Sequence, residues 1–322
     1  MGSFRFGIFG AGKIAVKFCE AVRLIPGGEI AAVASKSMER AQEFARKEGI
    51  AHGYDDYEEL LEKEQPDCVY IAVTPNDHYR LTMMCLKHKI PVICEKAMFQ
   101  NSREAESAFA LAKEMGTFVM EAMWSRFLPA NRTAKKWLME GRIGEPKVVQ
   151  CMIGFAAPQG DENRYRNPTL GGGAAKDITV YAYELTDWML EQKMQDCAVT
   201  TVFGPTGADL TNHISIRYER TLADLLTSFE APLTEQMVIY GTDGRIEIPH
   251  PHFASECFLY GADKSLKAHF TDTETENGFV YEIQEAMEAI RAGKIECSII
   301  PHQDTIACAQ LFDRIEAQKM KE

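Results

Sequence analysis

The chain opens with Phe4-Arg5-Phe6-Gly7-Ile8-Phe9-Gly10-Ala11-Gly12-Lys13-Ile14-Ala15, a short apolar stretch that turns at two glycines and continues as a helical pattern. Gly10 permits a tight turn, and Gly12 has no Cβ, so a diphosphate can approach its backbone. Ala15 is small enough for the helix to pack against the strand. The helix N-terminus offers free N–H groups and a partial positive charge. This segment therefore predicts a site for a dinucleotide.

Composition narrows the class of partner. The 322 residues include 35 Lys and Arg against 47 Asp and Glu, a formal charge of -12. This charge opposes binding to nucleic acid or to an anionic membrane, and it favours a small-molecule ligand. The chain has no apolar run long enough to span a bilayer and no secretory block at its start, which predicts a cytoplasmic protein. Nine scattered cysteines and the isolated His250-Pro251-His252 predict reduced thiols and no bound metal.

The order of elements predicts two domains. As far as Glu121, apolar strands alternate with amphipathic helices, the pattern of a right-handed doubly wound parallel sheet in an α/β domain of residues 1–122. Longer strands joined by hairpins follow, and they predict a second domain, residues 123–322, with a mostly antiparallel sheet. A C-terminal helix could pack back onto the first domain. The predicted strands of the second domain are Val148–Phe155, Ala198–Phe203, His213–Tyr218, Ala223–Phe229, Met237–Tyr240 and Ile246–Ile248.

Ligands of an open parallel sheet bind beyond the carboxyl ends of its strands. The polar and aromatic residues of the first domain fall at those ends, so they are expected to converge on one crevice. Beyond the glycine turn they are Ser35-Lys36, Thr74-Pro75-Asn76-Asp77-His78, Glu95-Lys96 and Met123-Trp124.

The end of the second strand bears on the choice of dinucleotide. An NAD site usually has Asp or Glu there, whereas this chain has Ser35, Lys36 and, one turn later, Arg40. Lys and Arg can hold a 2′-phosphate through charge-assisted hydrogen bonds, which favours NADP(H) over NAD. The alternative is that Lys36 and Arg40 are ordinary solvated residues.

The second domain contains a glycine-rich approach to a helix, Gly171-Gly172-Gly173, followed by Asp177 and Tyr181. A spacing of four places carboxylate and phenol on one helical face. A phenol with a pKa of ~10 exchanges protons near neutrality only beside a cation, and Lys96 could supply that cation. The alternative is that Tyr181 is an interface aromatic residue and Asp177 a helix cap.

Several motifs together resemble the Gfo/Idh/MocA oxidoreductases, most closely their dimeric dihydrodiol dehydrogenase and D-xylose dehydrogenase branch. The resemblance spans essentially the whole chain. It rests on the glycine turn, Thr74-Pro75-x-x-His78, Cys94-Glu95-Lys96, the run from Glu121 to Pro129, Gly141-Arg142-Ile143-Gly144-Glu145, Gly171 to Tyr181, and the tail from Gly278 to Glu296.

The resemblance implies a Rossmann domain, a second domain with a large open sheet, and NADP-linked hydride transfer at CH–OH or CH–CH donors of a sugar, polyol or trans-dihydrodiol. It implies Lys96 and Tyr181 as the catalytic pair with Asp177 beside them, and a homodimer or homotetramer formed through the sheet. The expected cofactor contacts are Gly10, Gly12, Lys13, Ile14, Ser35, Lys36, Arg40, Thr74, Pro75, Asn76, His78, Glu95, Lys96, Trp124 and Arg126. The expected substrate contacts are Trp124, Phe155, Tyr165 and Asp177.

One position departs from the family pattern, since the usual Glu-Lys-Pro is Glu95-Lys96-Ala97 in this chain. Either the bond before Ala97 is cis, as it commonly is before that proline, or the loop has a different shape. Two other functions stay open at this point: a non-catalytic nucleotide sensor, and a glycosidase that recycles bound NAD.

Overall fold

The protein is described by a computed structural model that covers residues 2–320. The chain forms two units, one with the residues up to Trp124 together with Glu276–Ile306, the other with Ser125–Thr275 together with the chain from residue 307. Within residues 2–320 no helix is long and apolar enough to cross a membrane.

The first unit is built on six parallel strands in the order β3-β2-β1-β4-β5-β6, the doubly wound arrangement that the sequence predicts. The strands are β1 (Phe4–Phe9), β2 (Gly28–Ala34), β3 (His52–Tyr54), β4 (Cys68–Ile71), β5 (Val92–Glu95) and β6 (Val119–Ala122). The helices are α1 (Lys13–Leu24), α2 (Met38–Glu48), α3 (Tyr57–Glu64), α4 (His78–Lys87), α5 (Ser102–Met115) and, from the later segment, α8 (Phe279–Arg291).

The central strands of this sheet are buried because helices cover both of its faces. β4 and β5 are buried at every position, as expected for parallel strands between two helical layers. Phe18 of α1 stacks on Tyr70 of β4 with ring centroids 3.8 Å apart, which seats the first helix on the centre of the sheet. This packing fixes the crevice edge, where the strands end.

The second unit contains an eight-stranded sheet in the order β14-β13-β12-β11-β7-β10-β9-β8. Its strands are β7 (Pro146–Gly154), β8 (Met194–Phe203), β9 (Asp209–Tyr218), β10 (Leu222–Ser228), β11 (Gln236–Gly241), β12 (Gly244–Pro249), β13 (Glu256–Gly261) and β14 (Leu266–Thr271). Its helices are α6 (Pro129–Met139) and α7 (Val180–Leu190), and α9 (His302–Glu316) begins in the first unit and ends in the second.

The mostly antiparallel sheet is confirmed, with one exception: β7 and β10 pair in parallel. The sequence interpretation missed β13 and β14, whose alternating residues are exposed or half-buried. These strands form the hairpin at the sheet edge, where the apolar signal is weakest.

All nine cysteines are free thiols, and all of them except Cys197 are buried. Burial raises the pKa of most of these thiols, for example that of Cys19 to about 12. They therefore pack as small apolar side chains rather than as nucleophiles.

Candidate active site

In the glycine turn, position 10 requires glycine, whereas position 12 has open space where a side chain would be. Gly10 has φ +109°, and a Cβ there would come within 2.5 Å of the Ala72 carbonyl oxygen. A Cβ on Gly12 would meet no atom closer than 4.0 Å, so the absent side chain keeps open the space above the turn. This open space above a helix N-terminus fits a pyrophosphate.

The first turn of α1 is also left uncapped. Its cap residue, Gly12, provides no side-chain hydrogen bond, and the turn contains no acidic residue. By contrast Ser37, Asp56 and Asn101 each cap their own helix through a side-chain oxygen. The N–H groups at the start of α1, beside exposed Lys13 and half-buried Ile14, are therefore available to an anionic ligand.

Gly10→Ala is expected to lower the free energy of unfolding by about 2–4 kcal/mol, because strain at a positive φ is joined by overlap with a backbone oxygen. The matched control is Gly49→Ala, which has φ +66° but nothing within 4 Å of an added Cβ. This control is expected to cost about 1 kcal/mol. Urea denaturation measures both variants, and equal losses would contradict the close-approach argument.

At the end of β2, Ser35 is buried and Lys36 is exposed. The Lys36 ammonium lies 2.5 Å from Oδ2 of Asp77, and Nε of Arg80 lies 3.5 Å from Oδ1 of the same carboxylate. Because β2 and β4 lie on either side of β1, this ion pair crosses the carboxyl end of β1. Partial burial raises the pKa of Asp77, but the Lys36 ammonium lowers it, and the net shift is downward. The Asp77 carboxyl is therefore ionised.

Further charges surround the hydroxyl of Tyr57, at the start of α3. Burial raises its pKa and so does Asp77, while Arg80 and Arg40 lower it. Arg40, Asp77 and Arg80 therefore all act on the pKa of this hydroxyl. The sequence interpretation did not select Asp77 or Arg80 as site residues. Their spacing of three at the start of α4 was the available signal.

The segment after β4 forms a single 3-10 turn, Pro75–Asp77, with Thr74 as its first residue. Thr74 and Asn76 are exposed at the strand end and Pro75 is half-buried. His78 is fully buried, and its two ring nitrogens lie 3.0 Å from the Ala97 carbonyl and 3.1 Å from the Val73 carbonyl. The side chain of His78 is thus enclosed by protein, and the expected cofactor contact of this residue stays a prediction.

Lys96 follows β5 and is half-buried, and its bond to Ala97 is cis. The neighbouring Glu95 is buried, and its carboxylate accepts a hydrogen bond from the Tyr70 hydroxyl. Burial raises the pKa of Glu95, and the Tyr70 hydrogen bond and the Lys96 ammonium oppose that rise. Glu282 of α8 is fully buried nearby, and burial together with Glu95 raises its pKa well above the usual range. We therefore expect Glu282 to be neutral.

Trp124 and Arg126 have different environments. The Trp124 ring packs against Phe279 at 5.1 Å in the first unit and is partly exposed. In the second unit Arg126 is fully buried, and its guanidinium donates to the carboxylate and the carbonyl of Glu184. Arg126 is therefore an internal ion-pair residue of the second unit with no accessible surface in this structure, and its expected contact with a cofactor stays a prediction.

Asp177 and Tyr181 lie where a π-helical turn, Ala175–Thr179, leads into α7. Such turns are common at functional sites. The Asp177 carboxylate is 22% exposed and 3.8 Å from the Arg164 guanidinium. Tyr181 is 8% exposed, and its ring lies 5.4 Å from the ring of His252. The sequence interpretation considered His252 only in connection with metal binding, because no local signal links it to α7.

Phe155 and Tyr165 form an aromatic cluster with Phe229. Their ring centroids are 5.2–5.5 Å apart. The Arg164 guanidinium stacks on Tyr165 at 4.1 Å. Phe155 and Tyr165 are both partly exposed, so they offer an apolar wall with a cation at its rim.

Asp209 of β9 supports the glycine-rich approach to Tyr181, and the sequence interpretation missed it. Its Oδ2 accepts hydrogen bonds from the backbone N–H of Ala175 and the amide of Asn212, each at 2.6 Å. A Cβ on Gly173 would lie 2.1 Å from its Oδ1, so this glycine admits the carboxylate. Burial raises the pKa of Asp209 to about 6.

This pKa predicts a pH-dependent stability. Between about pH 4 and pH 6 the folded chain holds a proton on Asp209 that the unfolded chain has released, so the free energy of unfolding falls as the pH rises through that window. The rise from 3.8 to about 6 corresponds to about 3 kcal/mol. Asp209→Asn is expected to remove the Asp209 part of this fall, measured by urea denaturation at pH 4, 5, 6 and 7. The buried carboxyls of Glu95 and Glu282, whose pKa values are also raised, account for the part that stays.

The control is Asp263→Asn in an exposed turn, where hydrogen bonds to Ser265 lower the pKa to about 2. Its titration lies below pH 4, so the wild-type decline between pH 4 and pH 6 should persist. A decline that persists unchanged in Asp209→Asn would contradict the assignment to Asp209.

Comparisons with known proteins agree with this geometry. Residues 4–123 match the model of the GFO/IDH/MocA oxidoreductase family with an NAD-binding Rossmann fold, and residues 131–247 match the GFO/IDH/MocA C-terminal domain. The chain is 29% identical to a trans-1,2-dihydrobenzene-1,2-diol dehydrogenase of Danio rerio, over 98% of this chain and 97% of that protein. For the Homo sapiens enzyme of the same name the identity is 28%, over 97% and 96%.

Solved structures share the fold at lower identity. An aldose-aldose oxidoreductase of Caulobacter crescentus superposes with a TM-score of 0.87 at 18% identity, over 98% of this chain and 97% of that one. A 3-ketoreductase of Actinomadura kijaniata, in complex with NADP and TDP-benzene, gives 0.84 at 22% identity, over 97% and 96%. With both family models matched in chain order, this chain belongs to the GFO/IDH/MocA oxidoreductase family, on its dihydrodiol dehydrogenase branch.

Proposed function

We propose that this protein is an NADP(H)-dependent dehydrogenase that oxidises or reduces a secondary alcohol or hemiacetal carbon of a sugar, polyol or trans-dihydrodiol. The observation that carries the cofactor choice is the charge at the end of β2. Lys36 and Arg80 both pair there with the carboxylate of Asp77, and Arg40 acts with Arg80 on the pKa of nearby Tyr57. Lysine and arginine side chains suit a 2′-phosphate better than an unmodified ribose.

The cofactor would bind along the strand ends of the first unit. The N–H groups at the start of α1 would hold the pyrophosphate, and Lys36, Arg40 and Arg80 the 2′-phosphate. Thr74, Pro75 and Asn76 would line the path from there towards Glu95, Lys96 and Trp124. The bound nicotinamide supplies the hydride chemistry, and the protein supplies position and proton transfer.

Proton transfer is assigned to Tyr181, with Lys96 as its cation. In the oxidative direction Tyr181 takes the proton of the substrate hydroxyl, while the hydride leaves the carbon that bears this hydroxyl. The Lys96 ammonium holds that hydroxyl and stabilises the phenolate. Lys96 belongs to the first unit and Tyr181 to the second.

The substrate class is inferred from two sources. The dihydrobenzenediol dehydrogenases that this chain resembles act, by name, on a trans-diol. The cluster of Phe155, Tyr165 and Phe229 offers an apolar wall, and Asp177 offers a carboxylate that can accept hydrogen bonds from hydroxyl groups. A ring that carries neighbouring hydroxyl groups suits this combination.

The assembly is proposed to be a homodimer or homotetramer formed through the eight-stranded sheet. Leu222, Val148 and Tyr240 are exposed and lie side by side on three adjacent strands. A row of exposed apolar side chains on a sheet face favours an interface.

A screen of aldoses, inositols and trans-dihydrodiols with both NADP and NAD tests the proposal, followed by the change in absorbance of the reduced cofactor. Net reduction with NADP on at least one substrate is expected. Glycoside cleavage with no net change in cofactor absorbance would instead favour a glycosidase that recycles bound NAD. Tight cofactor binding with no turnover would favour a non-catalytic nucleotide sensor.

A further inference from the structure

The residues before and after Lys96 in its loop are buried, whereas Lys96 itself is partly exposed. Glu95 is 9% exposed, and Ala97 and Met98 are fully buried, while Lys96 is half-buried. A buried backbone needs partners for its N–H and C=O groups. In this loop several of those partners are side chains that belong to the two neighbouring strands and their extensions.

The partner on the β4 side is His78. Its imidazole lies between the Val73 carbonyl, where the chain leaves β4, and the Ala97 carbonyl, the one that follows Lys96. Burial lowers the pKa of His78, so the ring is neutral and carries a single N–H. That N–H donates to one of the two carbonyls at a time, and the Lys96 ammonium is close enough to contribute to the lowering of the pKa of His78.

The partner on the β6 side is Glu121. Its Oε1 accepts the backbone N–H of Met98 at 2.9 Å, and its Oε2 accepts the hydroxyl of Thr305 at 2.8 Å. Glu121 is 2% exposed and lies opposite Cys94 in the register of the sheet. A charged acceptor makes a stronger hydrogen bond to a backbone N–H than a neutral one. Glu121 therefore holds the loop two residues after Lys96.

A third contact fixes the residue before Lys96. The Tyr70 hydroxyl donates to Glu95, and the Tyr70 ring is held in place by its stack on Phe18. Hydrogen bonds thus hold the loop at Glu95 and at Met98, and the His78 ring lies against the Ala97 carbonyl. Lys96 lies between Glu95 and Ala97.

We propose that His78 and Glu121 are positioning residues for Lys96: they hold the backbone on its C-terminal side and so set the place of its ammonium. Neither residue touches substrate or cofactor in this assignment. It rests on the proposed function, in which Lys96 is catalytic. A displacement of about 1 Å at a catalytic group can cost about 10²-fold in rate, so the backbone contacts bear directly on turnover.

The test is a double-mutant cycle. Glu121→Ala and His78→Leu are each expected to lower kcat by about 10–100-fold, while KM for NADPH stays within about threefold. In a Lys96→Met background the same substitutions should lower kcat no further, because they act through a lysine that is no longer present. A merely structural role would lower kcat by the same factor in both backgrounds.

Two variants serve as controls. Glu121→Gln keeps an oxygen that can accept the Met98 N–H, so kcat should recover to within about threefold of wild type. Thr305→Val removes only the hydrogen bond at Oε2 and leaves the one to Met98, so kcat should remain near wild type even if the thermal midpoint falls. Should Glu121→Ala fail to fold, His78→Leu by itself carries the same cycle, because leucine has no N–H to donate to either carbonyl.

Equal kcat in wild type and in folded Glu121→Ala and His78→Leu, or equal losses with and without Lys96, would overturn the positioning role. Failure of the proposed function looks different. In that case Lys96→Met itself retains the wild-type kcat. The cycle then shows no effect of Lys96 through which Glu121→Ala or His78→Leu could act.

Discussion

Lys96→Met and Tyr181→Phe are each expected to lower kcat by about 10³-fold, within the range of general acid–base catalysis by a positioned side chain. Methionine keeps the bulk of the lysine side chain and removes its charge. Phenylalanine removes only the hydroxyl. Kd for NADPH, measured by fluorescence titration, is expected to change no more than a few-fold, because neither side chain is assigned to the phosphates.

A matched control lies two residues along the same helix. Tyr183 is 1% exposed, and its hydroxyl has no hydrogen-bond partner among the described residues. Tyr183→Phe therefore removes a phenolic hydroxyl from α7 without touching the proposed site, and its kcat should stay within about twofold of wild type. Normal turnover in both Lys96→Met and Tyr181→Phe would exclude the proton-transfer assignment.

Lys36→Met is expected to weaken NADPH binding by about 10–100-fold while NADH binding changes little. The reason is that a hydrogen bond to a charged group contributes about 1.5–3 kcal/mol, and only NADPH carries the 2′-phosphate. The ratio of the two Kd values, from fluorescence titration at fixed salt, is the measurement. Asp77→Asn releases Lys36 from its carboxylate partner and is expected to tighten NADPH binding a few-fold.

Lys47→Met is the control for the loss of one positive charge. Lys36 and Lys47 are both 63% exposed, and each is paired with a carboxylate, but the partner of Lys47 is Glu43 on the outer part of α2. Its removal should leave the NADPH to NADH ratio unchanged. An unchanged ratio in Lys36→Met would refute the assignment of the 2′-phosphate to the end of β2.

The first unit could be predicted from the sequence because its signals are local. The glycine turn, the alternation of apolar strands with amphipathic helices, and caps such as Ser37 and Asn101 are all set within a few residues. The six parallel strands and the helices between them follow the alternation that the sequence predicts.

The second unit was less predictable because its decisive contacts join distant parts of the chain. The parallel pairing of β7 with β10 links residues about 75 positions apart, and nothing in either strand specifies its partner. β13 and β14 lie at the sheet edge with little burial, so their periodicity is weak. The sequence also does not predict the π-helical turn before Tyr181, because its residue pattern is that of an ordinary α-helix.

The sequence by itself determined the doubly wound domain, its glycine turn and the cations at the end of β2, because short-range backbone geometry and residue type are enough for each. Only the tertiary structure decided that Arg126 and His78 are enclosed, that Asp77 faces Lys36, and that Glu121 and Asp209 support the segments leading to Lys96 and Tyr181. Burial and charge pairing depend on which distant side chains surround a group, and no local pattern carries that information.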